Sequence, residues 1–146
     1  VCSRSYNIGT VRILNEAVAE SEWERLSKDM KDLALSYPGI NIIGSGGNIN
    51  KLIKLVRGRD NRYSRMTVAS LQELYDKLKA MTVEQRMEEY AMKPDRADVI
   101  VPAARIFLTI ADITEAVYIY VPVIGLADGI IDGLYTKNIM KKAARK

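Results

Sequence analysis

Gly44-Ser45-Gly46-Gly47-Asn48 follows the apolar run Ile40-Asn41-Ile42-Ile43 and opens an amphipathic stretch, so a short buried strand hands a glycine turn to the start of a helix. Glycines bring backbone N–H groups up to an anion with no Cβ in the way, and the free N–H groups of a helix start add partial positive charge. Phosphate is the ligand such a turn takes, although a tight packing turn has the same composition. A second junction of this form runs from Tyr118-Ile119-Tyr120-Val121-Pro122-Val123-Ile124 into Gly125-Leu126-Ala127-Asp128-Gly129. Asp128 there either orients a metal-bound water or simply holds the turn. Arg96, just ahead of a long apolar segment, reaches a phosphate, pairs with its neighbour Asp95 or Asp98, or caps an adjacent element.

The chain has no histidine, which removes Ser-His and Cys-His nucleophilic catalysis, phosphohistidine chemistry and most zinc sites. Cys2 is the single cysteine, so there is no internal disulfide, and a reducing cytoplasmic setting is favoured. Any chemistry rests on carboxylates, amides, hydroxyls and cations. The net charge of +4 is unevenly spread: Lys51, Lys54, Arg57, Arg59, Arg62 and Arg65 follow the first glycine turn with only Asp60 among them. An anionic partner fits that run, as does the solvated side of a helix whose apolar stripe is Ile49, Leu52, Ile53 and Val56. Lys141, Lys142, Arg145 and Lys146 form a second basic cluster, which a helix C-terminus accommodates without a ligand. Glu88 and Glu89 read as helix surface with no catalytic part.

These residues need elements to position them. A chain of 146 residues with an ordinary apolar fraction forms one domain, 1–146, with no linker-like segment, and its longest apolar runs are too short or interrupted to span a bilayer. Ser5 to Leu14 reads as strand-like. Ser21 with Glu24 fits a capping box ahead of a helix carrying Trp23, Leu26, Met30, Leu33 and Tyr37, which Pro38-Gly39 stops. Thr67 and Thr82 are candidate N-caps, the first for a helix with Leu71, Leu74, Tyr75 and Leu78 on one side, the second in a capping box with Gln85. Asp95 to Asp112 is apolar nearly all round, which predicts a buried central helix with Pro102 near its first turn. The alternation is α/β. Ligands of such sheets gather beyond the carboxyl ends of the strands. Both glycine turns are therefore expected on one rim, with their strands adjacent in a mixed sheet.

Four segments in this order, Asn7-Ile8-Gly9-Thr10-Val11-Arg12-Ile13, Gly44-Ser45-Gly46-Gly47-Asn48-Ile49, Arg96-Ala97-Asp98-Val99-Ile100 with Ala103 and Ala104, and Gly125-Leu126-Ala127-Asp128-Gly129-Ile130-Ile131, span most of the chain. Together they resemble the exopolyphosphatase and guanosine pentaphosphate phosphohydrolase family, of the actin-like, sugar-kinase and heat-shock ATPase superfold. The resemblance implies a ribonuclease-H-like mixed sheet flanked by helices with a helical insertion, forming the second of two lobes, with substrate phosphates held between them. It implies that the catalytic carboxylate and the Asp-x-Gly-Gly-Gly-Ser-x-Glu phosphate loop belong to a first lobe expected upstream of Val1, and that Mg2+ is bound mainly there. No catalytic residue is thus assigned within this chain. The family pattern differs at Asn48, where it usually has Thr, and at Ala127, where it usually has Arg.

On this resemblance, Gly44, Ser45, Gly46, Gly47, Asn48 and Arg96 contact phosphate or nucleotide, with Gly125, Asp128 and Gly129 as further candidates. The implied partners are polyphosphate or a guanosine nucleotide, the first lobe, and a second copy in a homodimer, with no membrane and no specific nucleic acid. Another actin-like ATPase or kinase, or a non-catalytic nucleotide-sensing or dimerisation module, is the alternative.

Overall fold

The computed structural model describes residues 3–56, 60–122 and Tyr135. Ten elements follow in order: α1 (Thr10–Leu14), α2 (Glu20–Ser36), β1 (Ile42–Ile43), α3 (Gly47–Leu55), β2 (Arg65–Thr67), α4 (Val68–Lys79), α5 (Val83–Tyr90), α6 (Pro94–Ala97), α7 (Ile100–Thr114) and β3 (Tyr118–Tyr120). They make a small three-stranded mixed sheet, order β1-β3-β2, flanked by helices. β1 runs parallel to β3 with Ile42 opposite Ile119, and β2 runs antiparallel to it with Met66 opposite Ile119. The two strands expected to be neighbours are so.

Period-two alternation sorts the central strand. Ile119 and Val121 are fully buried, whereas Tyr118 and Tyr120 are half-buried on the opposite face, where the Arg65 guanidinium lies 4.2 Å from the Tyr118 ring centre. The core packs Ile49, Leu52, Ile53 and Val56 from the α3 side against Met66, the α4 stripe of Leu71, Leu74 and Leu78, and Ile100 and Ala104 of α7. The helical stripes of α3 and α4 are those the sequence predicts.

Local chemistry fixes several helix starts. The Thr67 hydroxyl accepts the Ser70 N–H at 3.1 Å and caps α4. Thr82 and Gln85 form the expected capping box of α5. The Asp95–Asp112 expectation needs a change: the segment breaks at Asp98 and Val99 into α6 and α7, with Pro102 in the first turn of α7, where its missing N–H costs nothing.

Four expectations are overturned. Ser5 to Leu14 is not a strand: residues 4–7 run beside α2 and Thr10–Leu14 is helical. Contacts with α2 decide this, since Arg4 is ion-paired with Asp29, the Tyr6 hydroxyl donates to Asp29 at 2.7 Å and Arg25 donates to the Ser5 carbonyl. Ser21 does not cap α2. That helix starts two residues earlier with Ala19 as N-cap and no side-chain cap, so Ser21 lies inside the first turn, while Glu22 accepts the Asn7 N–H and pairs with Arg25. Nor do Arg62 and Arg65 share the α3 helix with Lys51 and Lys54. Arg62 sits in a turn and Arg65 opens β2, whereas Arg57 and Arg59 lie outside the described residues. β1 also departs from the buried strand read from its isoleucines: it is an edge strand, and Ile43 is 72% exposed.

Candidate phosphate site

The Gly44–Asn48 turn joins β1 to α3 as predicted, but its glycines do different things. The Gly44 N–H extends the sheet by donating to the Tyr120 carbonyl at 2.8 Å. A Cβ there would meet Ile49 and Phe107 at 2.9 Å, so Gly44 is a close-packing position with its donor already used. Gly46 has φ +111° and ψ 169°, a region nearly confined to glycine, and space around it is open. It is the N-cap of α3, a helix of nine residues that no side chain caps. The first N–H groups of α3 therefore present positive partial charge without a side-chain acceptor.

Arg96 meets that helix start. Its Nη1 donates to Asn48 Oδ1 at 3.1 Å, and a Cβ added at Gly47 would come within 2.7 Å of the same nitrogen. The guanidinium thus lies flat against Gly47 because no side chain is there. Arg96 does not pair with Asp95 or Asp98, since no carboxylate of the described residues lies within ion-pair distance of it. Beside it a cleft of about 280 Å³ is lined by Gly47, Lys51, Lys54, Lys93, Asp95 and Arg96. Four cations face one carboxylate. Lys51 is steadied by a 3.0 Å bond to the Tyr90 carbonyl.

β1 and β3 are parallel, so the chain leaves both at the same edge of the sheet. The Gly125–Gly129 turn itself, with Gly125, Asp128 and Gly129, lies outside the described residues, as does the C-terminal basic cluster. Among the described residues no group of three or more Asp, Glu, Cys or His could hold a metal ion. None of the described helices is long and apolar enough to cross a membrane.

No protein-family model and no curated protein sequence matches the chain. Solved structures do. The Aquifex aeolicus member of the Ppx/GppA family superposes with a TM-score of 0.68 at 25% identity, over 92% of this chain and 49% of that one. The type II variant of the Aquifex aeolicus Ppx/GppA phosphatase gives 0.67 at 27% identity, over 88% and 47%. The solved structures this chain is similar to are thus Ppx/GppA family members. An exopolyphosphatase from Cytophaga hutchinsonii has the same fold, with a TM-score of 0.67 at 16% identity over 90% and 48%. The chain spans about half the length of the solved structures it matches.

The structure brings together the first glycine turn and Arg96, which the sequence separates widely. It also adds residues that sequence reasoning passed over. Lys93 was not singled out because it stands alone between Met92 and Pro94, and only the fold turns it toward Lys51 and Lys54. Arg86 of α5 is the second such residue. Its Nε, Nη2 and Nη1 donate to the carbonyls of Leu78, Met81 and Ala97 at 2.8, 2.9 and 3.0 Å, and burial lowers its pKa against the opposing pull of Asp98.

Proposed function

We propose that this domain is the C-terminal, ribonuclease-H-like lobe of a phosphoanhydride hydrolase. In this reading the Ser45–Asn48 turn and Arg96 hold phosphate groups of linear polyphosphate or guanosine pentaphosphate. The observation that carries it is the Arg96 guanidinium, laid on Gly47 at the uncapped start of α3 with no carboxylate partner among the described residues. A guanidinium and a row of backbone N–H groups converging from two elements suit the oxygens of a phosphate, which accept bidentate and charge-assisted bonds. Hydrolysis further needs a positioned water, a carboxylate to orient it and cations to neutralise the phosphoryl oxygens. Lys51, Lys54 and Lys93 supply cations beside the site. The carboxylate and the Mg2+ ligands are assigned to the other lobe, and the whole protein to the cytoplasm as a homodimer.

The test is Arg96→Ala in the full-length protein, with tripolyphosphate binding measured by calorimetry. Loss of one or two charge-assisted bonds, each worth roughly 1.5 to 3 kcal/mol, should raise Kd at least about tenfold. Unchanged affinity in a folded variant would remove the reading. Competition by guanosine pentaphosphate in the same titration ranks the two substrate classes.

A further inference from the structure

Arg96 rides on α6, a single turn of four residues. A helix this short has no stability of its own, so whatever grips it sets where its side chains point. No side chain caps α6 at its Lys93 end. Its other end is gripped by Arg86 of α5, whose Nη1 donates to the carbonyl of Ala97, the buried residue directly after Arg96. The remaining two bonds of the same guanidinium, to the carbonyls of Leu78 and Met81, anchor it to the end of α4. α4 and α5 have their own capping at Thr67 and Thr82, so of the elements Arg86 touches, α6 depends on it most.

We propose that Arg86 is a positioning residue for Arg96: by holding the Ala97 carbonyl to the fixed end of α4, it holds the Arg96 guanidinium against Gly47 and Asn48. The proposal rests on reading the Arg96 site as a phosphate site. It uses the geometry of arginine specifically, because three carbonyls in three directions match a planar fork of donors and not the point charge of lysine.

The experiment is a double-mutant cycle in the full-length protein, with tripolyphosphate as probe and calorimetric Kd as readout, alongside thermal melting. Arg86→Lys keeps the charge and loses the fork, and it should weaken binding about fivefold in the wild-type background while leaving Kd unchanged in the Arg96→Ala background. A purely structural role for Arg86 predicts the same fold-loss in both backgrounds, and that result overturns the proposal. So does unaltered binding in Arg86→Lys and Arg86→Met. If Arg86→Met does not fold, Arg86→Lys alone decides between these outcomes. Should Arg96→Ala itself bind as wild type, the phosphate-site reading fails and this inference with it, a result distinguishable from failure of the coupling alone.

Discussion

Three glycines of one turn carry three different expected outcomes, because each lacks its side chain for a different reason. Gly46→Val places a Cβ in open space but forces a branched residue to φ +111°, a strain of about 1 to 3 kcal/mol, and it covers the backbone that a phosphate would approach. Binding should fall more than stability, which paired melting and titration of the folded fraction would resolve. Gly47→Ala should do the reverse to folding: alanine favours the helix start by about 0.5 to 1 kcal/mol, while its Cβ displaces the Arg96 guanidinium from 2.7 Å. A melting temperature held or raised together with weaker tripolyphosphate binding is the expected signature, and undiminished binding would contradict the placement of Arg96. Gly44→Ala meets Ile49 and the Phe107 ring inside the core, an overpacking that costs about 1 to 3 kcal/mol.

Among the elements, α2 shows how charge holds a segment without a strand. Arg4 and then the Tyr6 hydroxyl hold the Asp29 carboxyl below its usual range, while burial and Asp29 push the Tyr6 phenol up. A depressed carboxyl contributes stability that is present above its unfolded pKa of about 3.9 and lost as pH falls through the folded value. The raised phenol acts oppositely, with its contribution lost as pH climbs past about 10. Urea unfolding across pH should therefore show an acid limb that is shallower in Asp29→Asn. At α5, Thr82→Ala should remove about 1 kcal/mol and lower the melting temperature by about 3 °C. The Thr67 and Thr82 caps are legible in sequence because donor and acceptor lie three residues apart, although Ser21 with Glu24 has the same spacing and caps nothing. The Ser5–Leu14 segment was not, since β-branched Thr10, Val11 and Ile13 signal a strand while its contacts to Asp29 and Arg25 are tertiary. The glycine turn and Arg96 were visible as types. Arg86 was hidden because it binds three main-chain carbonyls, and carbonyls leave no mark in the sequence.

For the whole molecule, the sheet depends on β3, and on Ile119 within it, fully buried and opposite both Ile42 and Met66. Ile119→Ala should cost about 2 to 5 kcal/mol in urea unfolding, the largest loss of the substitutions considered. Expressed by itself, the 146-residue chain should bind tripolyphosphate and release no phosphate from it, because the donors lie on this domain and the proposed carboxylate does not. Phosphate release at the full-length rate would refute that division of labour. The central place of β3 also bears on time. As the chain leaves the ribosome, β1 and β2 emerge long before the strand that joins them, since β1 and β2 do not pair with each other. Until Tyr120 has appeared, the Ile42 and Met66 edges are open to other nascent chains, and the Gly44–Asn48 turn has no fixed strand behind it. Assembly of the proposed phosphate site is therefore postponed to the last stage of synthesis of the described fold, and ribosome-stalled chains whose Tyr118 is still inside the exit tunnel should be captured by chaperones far more readily than those whose Pro122 has left it.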